Sequence, residues 1–237
     1  MSLFLLYNIQ VSKKMKRIKL VHILTETDTQ REKASIASLS PLGSMGLEYI
    51  QQINERYRGE DWKKVPALSQ SEWTNHGPGH YGAFQSFKKA IKENFTEDVD
   101  ALVLCECDCV LETTHSHFME KLNRAIDFAS KHQLRYLSLG SRFVNDFLQS
   151  PISETDEEYP DFYITTKIIL AHCVVLHKSG REFYLEALDK FSWDSPDIWF
   201  NEANWLDNNY RFGIIQDRLA YQHEGHSLID DCWKDSQ

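Results

Sequence analysis

The 237-residue chain has 42% hydrophobic residues, enough for one substantial core, and a formal net charge of −9. That charge excludes a nucleic-acid binder held by phosphate contacts, because the only basic run, Lys13 to Arg17, is short. Five cysteines (Cys105, Cys107, Cys109, Cys173 and Cys232), three of them in one apolar run, do not form the loop-spaced framework of a secreted disulfide protein, so a reducing cytoplasm is expected.

The opening SLFLLYNIQV is apolar but too short to cross a bilayer, and its basic residues follow it instead of preceding it. No transmembrane segment is expected. Met15 begins MKRIKLVHIL, which reads like a natural start, so residues 1–14 are expected to be an extension and 15–237 a single domain. IKLVHIL (18–24) is a buried-strand run, and from Thr29 the spacing turns helical until Pro41 and Gly43 break it. Leu47 to Tyr57 reads as a second amphipathic stretch, WKKVPAL as a weak strand, and HGPGHYG as a turn leading into a helix. Ala101 to Leu111 is the strongest strand signal; Thr113 and Thr114 suit the N-cap of a helix running to about Lys131, and LRYLSLG is a further strand.

Residues 144–161 are polar, acidic and proline-punctuated, as in a long loop or flap. FYITTKIILAHCVVLHK then supplies one or two strands, SGREFYLEALDKF a helix with Ser179 as cap, WDSPDIWFNEANWLDNN a short helix, and YRFGIIQDRLAYQHE a last strand pair. The order predicts an α/β sandwich around a mostly parallel sheet with an antiparallel portion.

Within VLCECDCVL (103–111), an extended strand would put Cys105, Cys107 and Cys109 on one face and Glu106 and Asp108 on the other. Neighbouring cysteines on such a face lie roughly 6.6 Å apart. Thiolates on one zinc must approach to about 3.8 Å, so the three sulfurs are expected to pack as small hydrophobes and not to share an ion. The two carboxylates at the end of an apolar strand need neutralising, by Lys or Arg, by solvent, or by a hard divalent cation. The carboxyl edge of an α/β sheet is also where a nucleotide diphosphate commonly sits.

With these residues in place the chain resembles glycosyltransferases of the GT-A fold, whose DxD-type motif follows an apolar strand; here the motif is Glu106-Cys107-Asp108. It resembles most the lipopolysaccharide and procollagen galactosyltransferase family (family 25). The resemblance runs through VHILTETDTQR, GHYGAFQSFKKA, ALVLCECDCVL, HCVVLHKSGREFYLEAL, DSPDIWF and QHEGHSLID, in that order. Two departures stand out: Cys107 replaces an acidic middle residue, and Ser86-Phe87 replaces a Ser-His pair.

The resemblance implies a GT-A-like (Rossmann-like) α/β/α sandwich with a mixed, mostly parallel central sheet. It implies a metal-dependent enzyme moving a hexose from a nucleotide-diphosphate sugar, a UDP-sugar foremost, to a glycan or related acceptor. Asp108 and Glu106 would hold Mn²⁺ or Mg²⁺, with a late histidine, His223 or His226, as a further ligand; a solvated C-terminal loop is the alternative for both histidines. Thr25, Glu26, Arg31 and Glu106 would contact the nucleotide. Asp197, in an aromatic segment with Trp199, Phe200 and Trp205 suited to a sugar acceptor, is the candidate base, with helix capping as its alternative. The contrasting reading is a catalytically inactive GT-A-like carbohydrate- or nucleotide-binding protein. A nucleotidyltransferase fits less well, since no glycine- and lysine-rich phosphate loop follows the first strand.

Overall fold

A computed structural model describes residues 15–25, 30–55, 57–65, 67–68, 77–140, 154–168 and 172–223. The expected extension 1–14, Glu26, His76, His226, Cys232 and most of the acidic loop lie outside the described residues.

The chain runs β1 (Ile18–Thr25), α1 (Gln30–Leu39), β2 (Glu48–Asn54), α2 (Pro78–Asn94), β3 (Ala101–Cys105), β4 (Cys109–Leu111), α3 (His115–His132) and β5 (Tyr136–Ser138). It continues with β6 (Glu154–Thr155), β7 (Phe162–Thr165), β8 (Cys173–His177), α4 (Arg181–Lys190), α5 (Pro196–Leu206), β9 (Phe212–Ile215) and β10 (Ala220–Gln222). Eight strands form one sheet in the order β2-β1-β3-β8-β5-β9-β7-β6, and β10 pairs with β4 in a separate two-stranded sheet. In the large sheet only β7 and β8 run against the other strands, so it is mixed but mostly parallel, as expected.

Strand alternation divides the core into two layers. Leu20, Val103, Cys105 and Val175 face α3 residues such as Phe118 and Leu122. Val21, Leu102, Leu104, Val174 and Leu176 face α2, α4 and α5 through Phe87, Tyr184 and Phe200. Because helices cover both faces, β1 and β3 are apolar on both sides and read as continuous hydrophobic runs. Among the described residues no helix is long and apolar enough to cross a membrane.

Local signals placed several boundaries well. Thr114 caps α3, its hydroxyl accepting from the His117 N–H at 3.3 Å, and Pro78 opens α2 at a position where its missing N–H costs nothing. Others gave way to tertiary context. The stretch expected to be a second amphipathic helix is β2, which pairs in parallel with β1 from Lys19↔Glu48 to Thr25↔Asn54. Its Tyr49, Ile50 and Ile53 suit a pleated edge strand, and the available neighbour decides. WKKVPAL begins in a 3-10 turn, Asp61–Lys63, in place of a strand. Gly180, not Ser179, is the N-cap of α4. The expected last strand pair separates, with β9 in the large sheet and β10 on β4.

At the end of β8, His177 Nδ1 accepts the Ser179 N–H at 3.2 Å and meets the Ser179 hydroxyl at 2.9 Å. An accepting Nδ1 requires the neutral ring. Burial first, then the positive charges of Lys178 and Lys16, lowers the histidine's pKa to about 4, with Asp100 opposing. The unfolded chain, whose histidine titrates near 6.5, therefore takes up this proton first. The stabilisation from the neutral ring is complete above about 6.5 and is lost as pH falls toward about 4. His177→Asn keeps an acceptor for the Ser179 N–H but removes the titration. Urea unfolding should show the variant losing less stability than the parent across that interval, the difference being of the order of 1 kcal/mol or more; identical pH profiles would show that His177 does not set the acid sensitivity.

Candidate functional site

The chain crosses from β1 through α1 to β2 on one side, then through α2 to β3 on the other. The sheet's winding therefore reverses between β1 and β3. In open α/β sheets that reversal leaves a crevice outside the carboxyl ends of the two strands, where ligands bind. Here the crevice gathers the end of β1, the first turn of α1 and the segment after β3.

That segment is not a continuous strand. β3 stops at Cys105, and the Cys109 N–H donates to the Glu106 carbonyl at 3.0 Å, closing a four-residue turn over Glu106-Cys107-Asp108-Cys109. The expected alternation thus fails at the motif itself. Cys105 and Cys109 both enter the core on the α3 side, whereas Cys107 stays half-buried at the turn. Burial, then the Asp108 and Glu106 carboxylates, pushes the Cys107 thiol well up, so it stays protonated and unreactive.

Asp108 is almost wholly buried, at 4% exposure. Its Oδ2 is bound by the Arg31 guanidinium from the first turn of α1 and by Gln222 Nε2 from β10 at 2.9 Å. Its backbone carbonyl accepts the His223 N–H at 2.8 Å, which extends the β4–β10 pairing onto the turn. Asp108 Oδ1 is buried and has no hydrogen-bond partner among the described residues. Beside it, burial first, then the Asp108 and Asp197 carboxylates, pushes Glu106 well above the usual carboxylate range against the opposing pull of Arg31. An unpartnered buried carboxylate oxygen next to a carboxyl held toward its neutral form is a donor set that a hard divalent cation fits, since the ion would supply the missing charge.

The turn rests on a polar shelf. Ser35 Oγ on α1 donates to the Cys109 carbonyl at 2.5 Å and meets His22 Nε2 at 2.8 Å, while His22 Nδ1 meets the Tyr49 hydroxyl at 2.8 Å. Glu32, also on α1, accepts from the Thr25 N–H at 2.7 Å and from its hydroxyl. Thr25, expected at the nucleotide, is therefore engaged in tying the end of β1 to α1.

Asp197 lies half-buried in the first turn of α5, where its carbonyl accepts from the Asn201 side chain at 2.7 Å. Its charge acts on Glu106 and on Tyr136, raising both. The aromatic residues around it do not form the expected sugar platform. Trp199 and Phe200 are 1% and 2% exposed and pack into the core against Phe84, Phe87 and Tyr184, and Trp205 is half-buried with its Nε1–H donated to the Thr166 carbonyl at 3.1 Å. The stacking expectation is corrected accordingly: amphipathic helix packing claims these rings.

The structure thus brings Arg31, Glu106, Asp108 and Asp197 into one electrostatic neighbourhood, with the His223 backbone tied to it; Glu26 and His226 lie outside the described residues. Sequence reasoning missed Glu32 and the side-chain role of Gln222. An acid in the first turn of a helix that follows a strand is a usable signal for the first. Nothing local marks the second, which reaches Asp108 across 114 residues.

No family model matches the sequence, and no curated protein matches it. Among solved structures, the chain is similar to a glycosyltransferase involved in the glycosylation of the major capsid of PBCV-1. That match has 10% identity and a TM-score of 0.47, covering 92% of this chain and 98% of that one. It is also similar to A197 from STIV, at 11% identity and a TM-score of 0.41, covering 90% of this chain and 97% of that one. Likeness of this size defines neither family nor activity for this chain.

Removing one partner of a buried ion pair strands the other charge. Arg31→Met should destabilise the fold by roughly 3–5 kcal/mol in urea unfolding, and the double variant Arg31→Met/Asp108→Asn should recover most of that loss. An Arg31→Met protein as stable as the parent would show that Asp108 is not held by Arg31 in solution.

Proposed function

We propose that this protein is a metal-dependent glycosyltransferase that moves a hexose from a nucleotide-diphosphate sugar, a UDP-sugar foremost, to a glycan or related acceptor. The observation that carries this reading is the acidic turn at the winding reversal. There Asp108 has a buried oxygen without a hydrogen-bond partner among the described residues, and Glu106 is held toward neutrality beside Arg31. A cation-seeking carboxylate pair next to a fixed guanidinium suits a diphosphate, which carries its own negative charge and its own divalent ion.

In this reading Glu106 and Asp108 hold Mn²⁺ or Mg²⁺, with His223 or His226 as a further ligand. Such an ion, when bound, offsets the charge of the departing diphosphate. Arg31 serves the phosphates as a bidentate donor, and Glu106 alternatively meets the ribose. Thr25 and Glu26 close the nucleotide side. Asp197, in its ionised form, accepts the proton of the acceptor hydroxyl. Gln222, which the fold places on Asp108, orients that carboxylate.

The occupation of Asp108 Oδ2 by Arg31 favours a second reading, in which the guanidinium stands in for the cation and the chain binds nucleotide or carbohydrate without turning it over. Calorimetry with UDP, in the presence and absence of Mn²⁺, distinguishes the two. Metal-enhanced UDP binding, together with release of UDP from a UDP-hexose, supports the enzyme; binding that ignores Mn²⁺ and yields no UDP supports the second reading. Failure of any nucleoside diphosphate to bind would remove the enzyme reading and leave the second only as carbohydrate binding.

Within the enzyme reading, Asp108→Asn should abolish turnover and weaken metal binding, because a neutral amide holds the cation poorly. Asp197→Asn should lower kcat by about 10²–10⁴-fold while nucleotide binding in calorimetry stays at the parental level. An Asp197→Asn enzyme with parental kcat would assign the base elsewhere.

A further inference from the structure

The turn that presents the carboxylates also brings together three sulfurs that an unbroken strand would have kept apart. Cys105 at the end of β3, Cys109 at the start of β4 and Cys173 at the start of β8 place their Sγ atoms within 4.8 Å of one another. Cys105 and Cys173 are direct cross-strand partners with sulfurs 3.8 Å apart. The Glu106 N–H to His172 carbonyl bond makes the next residue pair the hydrogen-bonded one, so Cys105 and Cys173 occupy the closer, non-hydrogen-bonded position of the ladder. All three side chains have no exposed surface, and they lie in the apolar core layer that includes Phe118, Leu122 and Val175.

We propose that Cys105, Cys109 and Cys173 form a buried three-sulfur site for a soft, thiophilic monovalent cation of the copper(I) class. Three sulfurs bonded at ~2.3 Å to an ion in their plane stand about 4.0 Å from one another, a value that lies between the 3.8 Å of the Cys105–Cys173 pair and the 4.8 Å within which all three fall. Ligand type selects the metal class: thiolates favour soft ions over the hard cations that suit Glu106 and Asp108. Ligand number narrows it. Among the described residues this is the only group of three or more potential metal-ligating side chains whose ligand atoms all lie within 4.8 Å of one another, and it offers three donors, not four. Structural zinc takes four ligands, and an apolar, fully enclosed pocket supplies no water for the fourth, whereas copper(I) accepts three. Each thiol that ligates as thiolate gives its proton to solvent, so loading is expected to accompany folding, before the core closes.

Packing alone accounts for any one buried cysteine. It does not account for three from two distant segments converging through a turn whose other residues are charged or polar. The carboxylate site and this site are chemically independent, since one selects hard and the other soft cations, yet they share the Glu106 to Cys109 backbone.

The full-length chain, fully reduced and kept anaerobic, is unfolded in guanidinium and refolded with one equivalent of copper(I) in the presence of bicinchoninate as competitor. Copper retained after gel filtration is then counted. One copper per chain is expected, with an X-ray absorption spectrum showing three sulfur neighbours. The double variant Cys107→Ser/Cys232→Ser should retain it in full, and Cys105→Ser, Cys109→Ser and Cys173→Ser should each lose it. No retained copper in the parent, loss in the double variant, or retention in all three single variants would overturn the proposal. Should a single variant fail to fold, the spectrum of the parent decides alone: two or fewer sulfur neighbours would also overturn it.

Discussion

One hydrogen bond, from the Cys109 N–H to the Glu106 carbonyl at 3.0 Å, determines much of what is distinctive in this chain. It ends β3, turns the backbone out of the large sheet and hands it to β4. Without it Glu106 and Asp108 would point from the face of an extended strand, and Cys105 and Cys109 would stand a full two strand repeats apart. With it, Glu106 and Asp108 stay at the turn with Cys107, while Cys105 and Cys109 enter the core on the α3 side. Arg31 and Gln222 both bind Asp108 Oδ2, Ser35 binds the Cys109 carbonyl and the His223 N–H binds the Asp108 carbonyl, so the loop is restrained from α1 on one side and β10 on the other.

The burial of Asp108 makes this restraint consequential. A carboxylate removed from water must find compensating charge, and a single arginine reaches only one of its two oxygens in this arrangement. The leftover oxygen and the raised pKa of Glu106 have the same origin, an excess of negative charge in a desolvated pocket. Structural ion pairs usually close their own account. This one leaves charge demand at the edge of a sheet where ligands are customarily held, which is why it reads as a binding site in addition to a fold contact.

How much of this the sequence reveals depends on range. IKLVHIL and ALVLC are legible as strands because both faces of a central strand are apolar, and Thr114 is legible as a cap because its role is settled within three residues. Glu48–Asn54 is not, because its apolar spacing fits a helix as well as an edge strand and only the neighbouring β1 breaks the tie. Acid-x-acid in an apolar run draws attention to this segment, but strand alternation cannot show that the run turns in its middle. Consequently the separation of Cys105 and Cys109 from the carboxylates was anticipated, whereas the stay of Cys107 beside the acids and the meeting of the sulfurs were not: Cys173 arrives from a strand sixty-eight positions away. Trp199 and Phe200 mislead in the opposite way, since a ring suited to stacking on sugar is equally suited to filling a core.

The pairing of β10 with β4 also imposes an order on assembly. The acidic turn leaves the ribosome long before Gln222 and His223, whose contacts with Asp108 span more than a hundred residues. Until those residues emerge, the crevice lacks one wall, and a half-made chain displays its charged loop without the strand that steadies it. The turn that carries Glu106 and Asp108 thus takes its final form only after a segment more than a hundred residues further along has been made.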